Sequence, residues 1–257
     1  MNALLRSFGL SSVTVVGGGG AWAPTDSADL SQWLDASDAA TITATGNNLT
    51  TLADKSTNSN DFTAGNDPQT GTRTHNSLNV IDFDGVDQYI ENTAYIPASD
   101  FQHIIVYLIE NVNDGGDSVC RIGGSSRFVL RCANASVHNT YADLVGTGNL
   151  DGSDSADGQD VFRIVRHVFD FTTGEWKQYI NGALTINDGS NLGTTFNTER
   201  LTYGASHNSA GWSDMALAEV GIFENIGDTD GQKMEGYLAD KWNITLDAGH
   251  PYVGGPP

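Results

Sequence analysis

Basic residues are scarce in this chain of 257 residues, which has 12 lysines and arginines against 32 aspartates and glutamates. The formal net charge is −20. A protein that binds a nucleic acid needs a cationic face to neutralise the phosphates, so we do not expect a nucleic-acid partner. The acidic excess is typical of a solvated anionic surface, or of a protein that meets cations or a basic partner.

Long apolar runs are also lacking, because no stretch approaches the roughly 18 residues that a membrane span requires. The apolar start of the chain is interrupted by Gly9 and Ser11 and has no clean cleavage site, which favours an arm over a secretory signal. Four consecutive glycines at 17–20 then predict a flexible tether. We therefore predict an arm and tether over residues 1–25 and one folded domain over residues 26–257. An ordinary first strand followed by a loop remains the alternative for the arm.

Cysteine is limited to Cys120 and Cys132, which flank a turn at residues 123–126. Strand alternation points both thiols toward the core of one hairpin, where they could lie opposite each other. A cross-strand disulfide and two buried free thiols both remain open. A domain of this length needs neither a disulfide nor a metal to fold.

The apolar residues occur in short runs between clusters of Gly, Asn, Asp, Ser and Thr, which predicts many short strands joined by tight turns. Residues 104–109 form a continuous apolar run, as expected for a central strand covered on both faces. Asn181-Gly182 between two strand-like runs predicts a hairpin, because both residues accept positive φ. Residues 161–171 predict another long strand, with Arg166 and His167 where it reaches the surface.

Two short helices are predicted, one near each end of the domain. In residues 27–38, Ser27 is a good N-cap, and Leu30, Trp33 and Leu34 have the spacing of one apolar helical face. The second helix begins at about residue 228. Its apolar stripe consists of Met234, Tyr237, Leu238 and Trp242.

Several local patterns together resemble one family. The segments that carry the resemblance are residues 33–36, 54–60, 80–90, 179–182, 218–223, 235–242 and 250–252. In this order they resemble the concanavalin A-like (laminin G-like) modules of phage virion proteins and bacterial surface proteins. The resemblance implies an all-β fold, a two-sheet antiparallel jelly-roll sandwich with short helices near each end. Members of that family include lectins, calcium-dependent adhesion modules, glucanases and structural virion domains.

Enzymatic chemistry is not expected. Retaining glucanases of this fold carry an E-x-D-x-x-E motif, whose carboxylates act as acid and nucleophile. The nearest segment here, residues 219–224, lacks the central acid, and the odd spacing places Glu219 and Glu224 on opposite faces of a strand. The sequence also has no nucleophile elbow, zinc-protease motif or phosphate loop. We therefore predict a non-enzymatic protein.

Calcium is a candidate ligand for two acidic loops, because a hard cation prefers carboxylate and carbonyl oxygens. The first loop offers Asp114 and Asp117 as ligands. The second, residues 151–160, resembles an EF-hand loop, but Ala156 stands where the invariant glycine belongs and Phe162 where the bidentate glutamate belongs. A solvated loop is the alternative at both places.

A glycan site is predicted on the loop that contains Trp212. The indole would stack on a sugar ring, while His207, Asn208 and Asp214 would hydrogen-bond its hydroxyls. The alternative is that Trp212 is a core residue at the entrance of a strand.

Three functions follow from these patterns. The first is a virion structural protein, such as a capsid decoration, head-fibre or tail component, which would bind a capsid or tail protein through the arm. The second is a secreted or surface-located bacterial module that binds carbohydrate or mediates adhesion, and the third is an atypical glucanase. The sequence leaves open whether the protein forms a homo-oligomer.

Overall fold

The computed structural model describes residues 21–97, 99–111, 117–124, 127–134, 137–144, 148–154, 160–188, 192, 196, 200–206 and 211–257. Within these residues the chain forms 17 strands and one α-helix. The strands are β1 (Leu30–Asp35), β2 (Ile42–Thr45), β3 (Asn48–Leu52), β4 (Phe62–Gly65), β5 (Gln69–His75), β6 (Leu78–Asp84), β7 (Tyr89–Asn92), β8 (Phe101–Asn111), β9 (Asp117–Gly123), β10 (Arg127–Asn134), β11 (Val137–Leu144), β12 (Gly148–Asp154), β13 (Arg163–Asp170), β14 (Glu175–Ile180), β15 (Ala183–Asp188), β16 (Leu201–Tyr203) and β17 (Asp214–Phe223). The helix is α1 (Asp228–Trp242), and two 3-10 turns lie at Pro24–Asp26 and Ala39–Thr41. The predicted all-β class is confirmed.

The strand pairings given for the described residues are antiparallel and fall into two groups. In the first group, β17 is central: β8 pairs with one of its edges, and β6 and β1 pair with the other. Beyond β6 the group ends with β5. Beyond β8 it continues with β13, β14 and β15. In the second, the order is β2, β3, β4, β7, β16, β9, β10, β11 and β12. A single pair, Asn48 with Gln69, connects the groups.

Strand β8 is buried on both faces, as its sequence predicts. Ile105 and Tyr107 point into a core that contains residues of both strand groups, such as Phe62 and Phe128. The alternate residues of β8, Ile104 among them, belong to a second core on the opposite face. Because successive side chains of a strand point to opposite faces, a continuous apolar run is the pattern expected for a strand between two cores.

Helix α1 covers the second core and confirms the predicted C-terminal helix. Met234, Leu238 and Trp242 are fully buried there against the first strand group. The helix ends at Asn243, whose φ of 53° places it in the left-handed region that often follows a helix. Among the described residues no helix is both long enough and apolar enough to span a membrane.

The predicted N-terminal helix at residues 27–38 is wrong, because Leu30–Asp35 is strand β1. The strand pairs with β17 and shifts register between Leu30 and Gln32, which is a β-bulge. One extra residue moves the alternation by one position, so Leu30 and Trp33 lie in the same core although three positions separate them. A bulged strand thus reproduces the spacing of a helical face. The prediction that Trp33 enters the core is confirmed.

The predicted surface position of Arg166 and His167 is also wrong, since both side chains are buried. The Arg166 guanidinium is held under α1 by Glu235 at 3.0 Å and lies over the ring of Tyr179 at 3.8 Å from its centroid. A buried charge requires such partners. His167 packs between the strand groups against Phe128, with ring centroids 4.6 Å apart.

The hairpin at Asn181-Gly182 is confirmed and joins β14 to β15. Asn181 has a φ of 49° and Gly182 a φ of 82°, the two positive values that a type I′ turn requires. Gly182 also lies against the ring of His250, where a Cβ atom would meet the ring at 2.7 Å. Both backbone freedom and space therefore select glycine there.

The two cysteines do not lie opposite each other. In the register of β9 with β10, Cys120 pairs with Leu130, and Cys132 pairs with Asp117. Cys120 is a buried free thiol, and burial raises its pKa to about 12. The side chain of Cys132 lies outside the described residues, as do residues 1–20 of the predicted arm. From Trp22 onward the chain contacts the domain, where the indole packs edge-on against Tyr237.

Candidate functional site

Several residues of the family-like motifs meet around one buried carboxylate, Glu219 on β17. The indole nitrogen of Trp33 donates to Glu219 Oε1 at 2.6 Å. Lys241 Nζ and the indole nitrogen of Trp242 donate to Oε2 at 2.6 and 2.8 Å. Burial and the nearby Asp35 raise the pKa of Glu219, whereas Lys241 lowers it. Because Trp33, Lys241 and Trp242 all donate hydrogen bonds to it, the arrangement fits the ionised carboxylate.

Asp35 extends this network to the protein surface. It accepts hydrogen bonds from Lys241 at 2.8 Å and from Lys55 at 2.9 Å, and Lys55 also pairs with Asp38 at 2.7 Å. Burial opposes ionisation of Asp35, but Lys241, Ser37 and Lys55 outweigh it, so its pKa is lowered. The Lys55 ammonium lies 4.1 Å from the centroid of the Trp33 ring, within range of a cation–π interaction.

This network explains the motifs in structural terms. It joins β1, β17, α1 and the loop at residues 54–60. Asp54 fixes this loop to β1, because its carboxylate accepts a hydrogen bond from the backbone N–H of Trp33 at 2.8 Å. Its central members are shielded from solvent, and their polar atoms are engaged with one another. The motifs at residues 33–36, 54–60, 218–223 and 235–242 therefore meet in a network that holds the fold together.

An aromatic pair at one end of the molecule is the better candidate. Trp212 and Tyr89 are both half-buried, and their rings are 5.9 Å apart at an interplanar angle of 31°. Tyr89 begins β7, directly after the turn that ends β6, and Trp212 lies two residues before β17. The two rings thus form one aromatic surface at this end of the fold, which we call the aromatic platform.

Two turns and the start of β17 meet around the aromatic platform. Gly65 ends β4, just before the turn between β4 and β5, and lies under the ring of Tyr89, where a Cβ atom would overlap the ring. Asn66 in the same turn donates to the carbonyl of Asp87 at 2.9 Å. The turn after β6 contacts the start of β17, because Gly85 packs against Asp214. These contacts hold the platform on paired backbone rather than on an isolated loop.

Aspartates lie on the turns and strand ends next to the platform residues in the chain. Asp67, Asp84 and Asp87 are exposed on the turns, and Asp214 is half-buried beside them. Burial raises the pKa of Asp214, and Asp82, Asp84 and Asp160 add to that effect while Arg73 opposes it. Burial and the charge of Glu91 likewise raise the pKa of the Tyr89 hydroxyl. This end of the molecule therefore carries a concentrated negative charge.

The predicted glycan residues are placed only in part. Trp212 and Asp214 lie on the platform and its edge, whereas His207 and Asn208 lie outside the described residues. Trp212 is neither a core residue nor a fully exposed one. Tyr89 was not predicted, although it lies in the motif at residues 80–90. Its signal was an aromatic residue next to an Asp- and Gly-rich turn.

The predicted calcium ligands cannot be located. Asp114 lies outside the described residues, and of Asp117 only the backbone is described, as the first residue of β9. Among the side chains that are described, no group of three or more His, Cys, Asp or Glu residues is arranged to hold a metal ion. Calcium at Asp114 and Asp117 stays a prediction.

The acidic pair tested for glucanase chemistry is separated as predicted. Glu219 is buried in the network under α1, while Glu224 is exposed and accepts a hydrogen bond from the Tyr95 hydroxyl at 3.0 Å. Acid and nucleophile in a retaining glycosidase lie about 5 Å apart and face one substrate. These two glutamates have different surroundings and cannot fill those roles together.

Comparison with known proteins identifies similar structures but no family. No protein-family model and no curated protein matches the chain. The binding domain of botulinum neurotoxin DC in complex with SialylT matches with a TM-score of 0.61 and 14% identity, over 84% of this chain and 52% of that one. The same domain in complex with rat synaptotagmin II matches with a TM-score of 0.60 and 15% identity, over 87% and 53%. A structure of botulinum neurotoxin type C, whose cell entry depends on two ganglioside molecules, matches with a TM-score of 0.60 and 15% identity, over 83% and 51%.

The chain spans about half the length of the structures that it matches. At such low identity the likeness establishes a shared fold and does not transfer a ligand.

Proposed function

We propose that the protein is a non-catalytic carbohydrate-binding domain and that the aromatic platform of Trp212 and Tyr89 is its sugar-binding surface. The observation that carries the proposal is the pair of half-exposed rings, beside turns that carry aspartates and Asn66. A sugar ring presents an apolar C–H face and polar hydroxyls, so it needs both an aromatic surface and hydrogen-bond acceptors. The similar structures named with gangliosides and SialylT support this choice.

We further propose that the two strand groups are the two sheets of a jelly-roll sandwich. The core that contains Phe62 of one group and Ile105 of the other supports this, because side chains from two packed sheets interdigitate in such a core. On this arrangement the aromatic platform lies at one end of the sandwich, where turns of both groups come together.

Replacing Trp212 by alanine tests the glycan site. We expect Trp212→Ala to weaken binding about tenfold to a hundredfold, since truncating a central aromatic residue at a binding site costs about 1.4–3 kcal/mol. The measurement is a glycan-array screen of the wild-type chain followed by titration calorimetry with the strongest ligand. Trp22→Ala is the matched control, because Trp22 is equally half-buried but packs on Tyr237. Equal affinities of the Trp212 variant and wild type would remove the platform from the proposal.

A virion role is the second candidate, and it is supported by the motif resemblance and by the apolar segment and glycines that precede the domain. The protein would then be a capsid decoration, head-fibre or tail component that binds a capsid or tail protein through residues 1–25. The alternative location is the bacterial cell surface or the extracellular space. We expect the full chain to co-sediment with assembled particles of its source and a chain lacking residues 1–25 to stay in the supernatant. Co-sedimentation of both forms would exclude docking through the arm.

A further inference from the structure

We infer that the aromatic platform selects uncharged glycans and discriminates against sialylated and sulfated ones. This inference rests on the proposed function and adds the class of sugar. It is carried by four aspartates, which we call the acidic rim: Asp67, Asp84, Asp87 and Asp214.

The acidic rim is fixed beside the platform by short contacts. The carbonyl of Asp67 accepts from the side chain of Gln88 at 3.0 Å, one residue before Tyr89. The Asp84 carboxylate accepts from the backbone of Val86 at 2.9 Å, and the Asp87 carbonyl accepts from Asn66. These contacts tie the turn between β4 and β5 to the turn after β6. They fix the backbone of the two turns that carry Asp67, Asp84 and Asp87.

Among the described residues, the two arginines whose charges act on Tyr89 and Asp214 are already engaged. Arg200, which influences the Tyr89 hydroxyl, forms an ion pair with Glu91 at 3.0 Å. Arg73, which influences Asp214, pairs with Glu110 and lies 3.6 Å from Asp82. An anionic sugar would have to compete with a carboxylate for either guanidinium while it is repelled by the acidic rim. A neutral sugar instead finds carboxylate oxygens that accept from its hydroxyls, and such charge-assisted bonds are the stronger kind.

The size of the discrimination depends on salt. Two charges about 8 Å apart in water interact weakly. The screening length of the salt is also about 8 Å at 0.15 M, but it is about 30 Å at 0.01 M, so the repulsion is stronger at low salt. Four like charges should therefore weaken binding of a sialylated glycan about threefold at 0.15 M salt and at least about tenfold at 0.01 M, relative to the same glycan without sialic acid.

The test uses the full chain on an array that prints neutral glycans together with the sialylated and sulfated forms of the same chains, at both salt concentrations. The expected result is binding to neutral members, with the anionic members weaker and increasingly so at low salt. Equal or stronger binding of the sialylated forms would overturn the inference and leave the proposed function intact. Binding to no glycan at all would overturn the proposed function, and the inference with it.

A charge variant separates the acidic rim from the platform. In Asp67→Asn/Asp87→Asn both side chains keep their shape, and asparagine tolerates the positive φ of 59° at position 67. We expect all glycans to bind more weakly, because two charged acceptors of sugar hydroxyls are lost, and the ratio of neutral to sialylated affinity at 0.01 M salt to fall about threefold. The control, Asp240→Asn/Glu175→Gln, removes the same net charge on α1 and at the start of β14, away from the rim. An equal effect of the control would assign the selectivity to net charge rather than to the acidic rim.

Discussion

Replacing Glu219 by glutamine is expected to destabilise the protein by about 2–4 kcal/mol at pH 7, because it removes the charged acceptor of buried donors and leaves Lys241 paired with Asp35 alone. Lys241 would lose its 2.6 Å contact, and the new amide group would present N–H donors to two indole N–H donors. A loss of this size is a large part of the stability of a typical domain. Urea denaturation at pH 7, followed by tryptophan fluorescence, measures it.

The matched control for Glu219 is Glu224, the residue that directly follows strand β17. Glu224→Gln removes an exposed carboxylate that accepts one hydrogen bond from Tyr95, and we expect a change within about 1 kcal/mol. Combining Glu219→Gln with Lys241→Met should cost less than the sum of the two single changes, because both changes remove the same Glu219–Lys241 ion pair. A cost below about 1 kcal/mol for Glu219→Gln alone would show that the network is not needed for stability.

The motifs around Glu219 show where the sequence was informative. Each motif was visible as a local pattern, yet Trp33 and Glu219 are 186 positions apart. Their meeting depends on the pairing of β1 with β17, which no local signal specifies. A sequence pattern can therefore point to a fold without revealing that its polar residues neutralise one another in the interior.

The error at residues 27–38 has a definite physical cause. The N-cap residue and the spacing of the apolar residues favoured a helix. In the structure the segment pairs with β17 as a strand, and a bulge at its start places Leu30 and Trp33 on the same face. The error at Arg166 and His167 has a different cause: a polar residue in a strand normally faces solvent, so the sequence predicted a surface position for both. Here α1 covers Arg166 on one face of β13, and His167 on the other face packs between the strand groups. The hairpin at Asn181-Gly182 and the helix α1 were predictable because turn chemistry and helical periodicity are local.

The candidate site was half predictable. Trp212 and Asp214 stand in a polar, Gly-containing segment, which is typical of a binding loop. Tyr89 reaches the same place through the pairing of β4 with β7, and Gly65 leaves room for its ring. The contact between Trp212 and Tyr89 thus depends on the order of the strands, which the sequence pattern does not predict.

Acidification is expected to destabilise the protein through two buried histidines. His103 on β8 and His167 on β13 face each other across the strand pair, with stacked rings 5.8 Å apart. His103 contacts the Tyr203 hydroxyl at 3.1 Å, and His167 contacts the Gln178 side-chain oxygen at 3.0 Å. Burial lowers the pKa of His167 to about 3 and lowers that of His103 well below its usual value, to which the charge of His167 contributes. Both rings are therefore neutral in the folded protein at pH 7.

The sign of the effect follows from proton binding. An unfolded histidine takes up a proton below about pH 6.5, whereas the folded pair does so only at lower pH, so the unfolded state binds more protons as the pH falls. Below about pH 6.5 each histidine then lowers the free energy of unfolding by about 1.4 kcal/mol per pH unit. For both histidines together the loss between pH 7 and pH 5 is about 4 kcal/mol. The titratable side chains beside the pair do not offset this, because burial raises the pKa of Cys120 to about 12 and that of Tyr203 well above its usual value.

Urea denaturation at half-unit steps from pH 7 to pH 4.5 measures the slope. His103→Gln/His167→Gln should flatten the pH dependence, because glutamine keeps a hydrogen-bonding side chain and takes up no proton. His75→Gln is the matched control: burial lowers the pKa of His75 too, but this side chain is only half-buried, so its removal should change the slope less. An unchanged slope in the double variant, with cooperative folding retained at pH 7, would show that the acid sensitivity arises from the carboxylates instead.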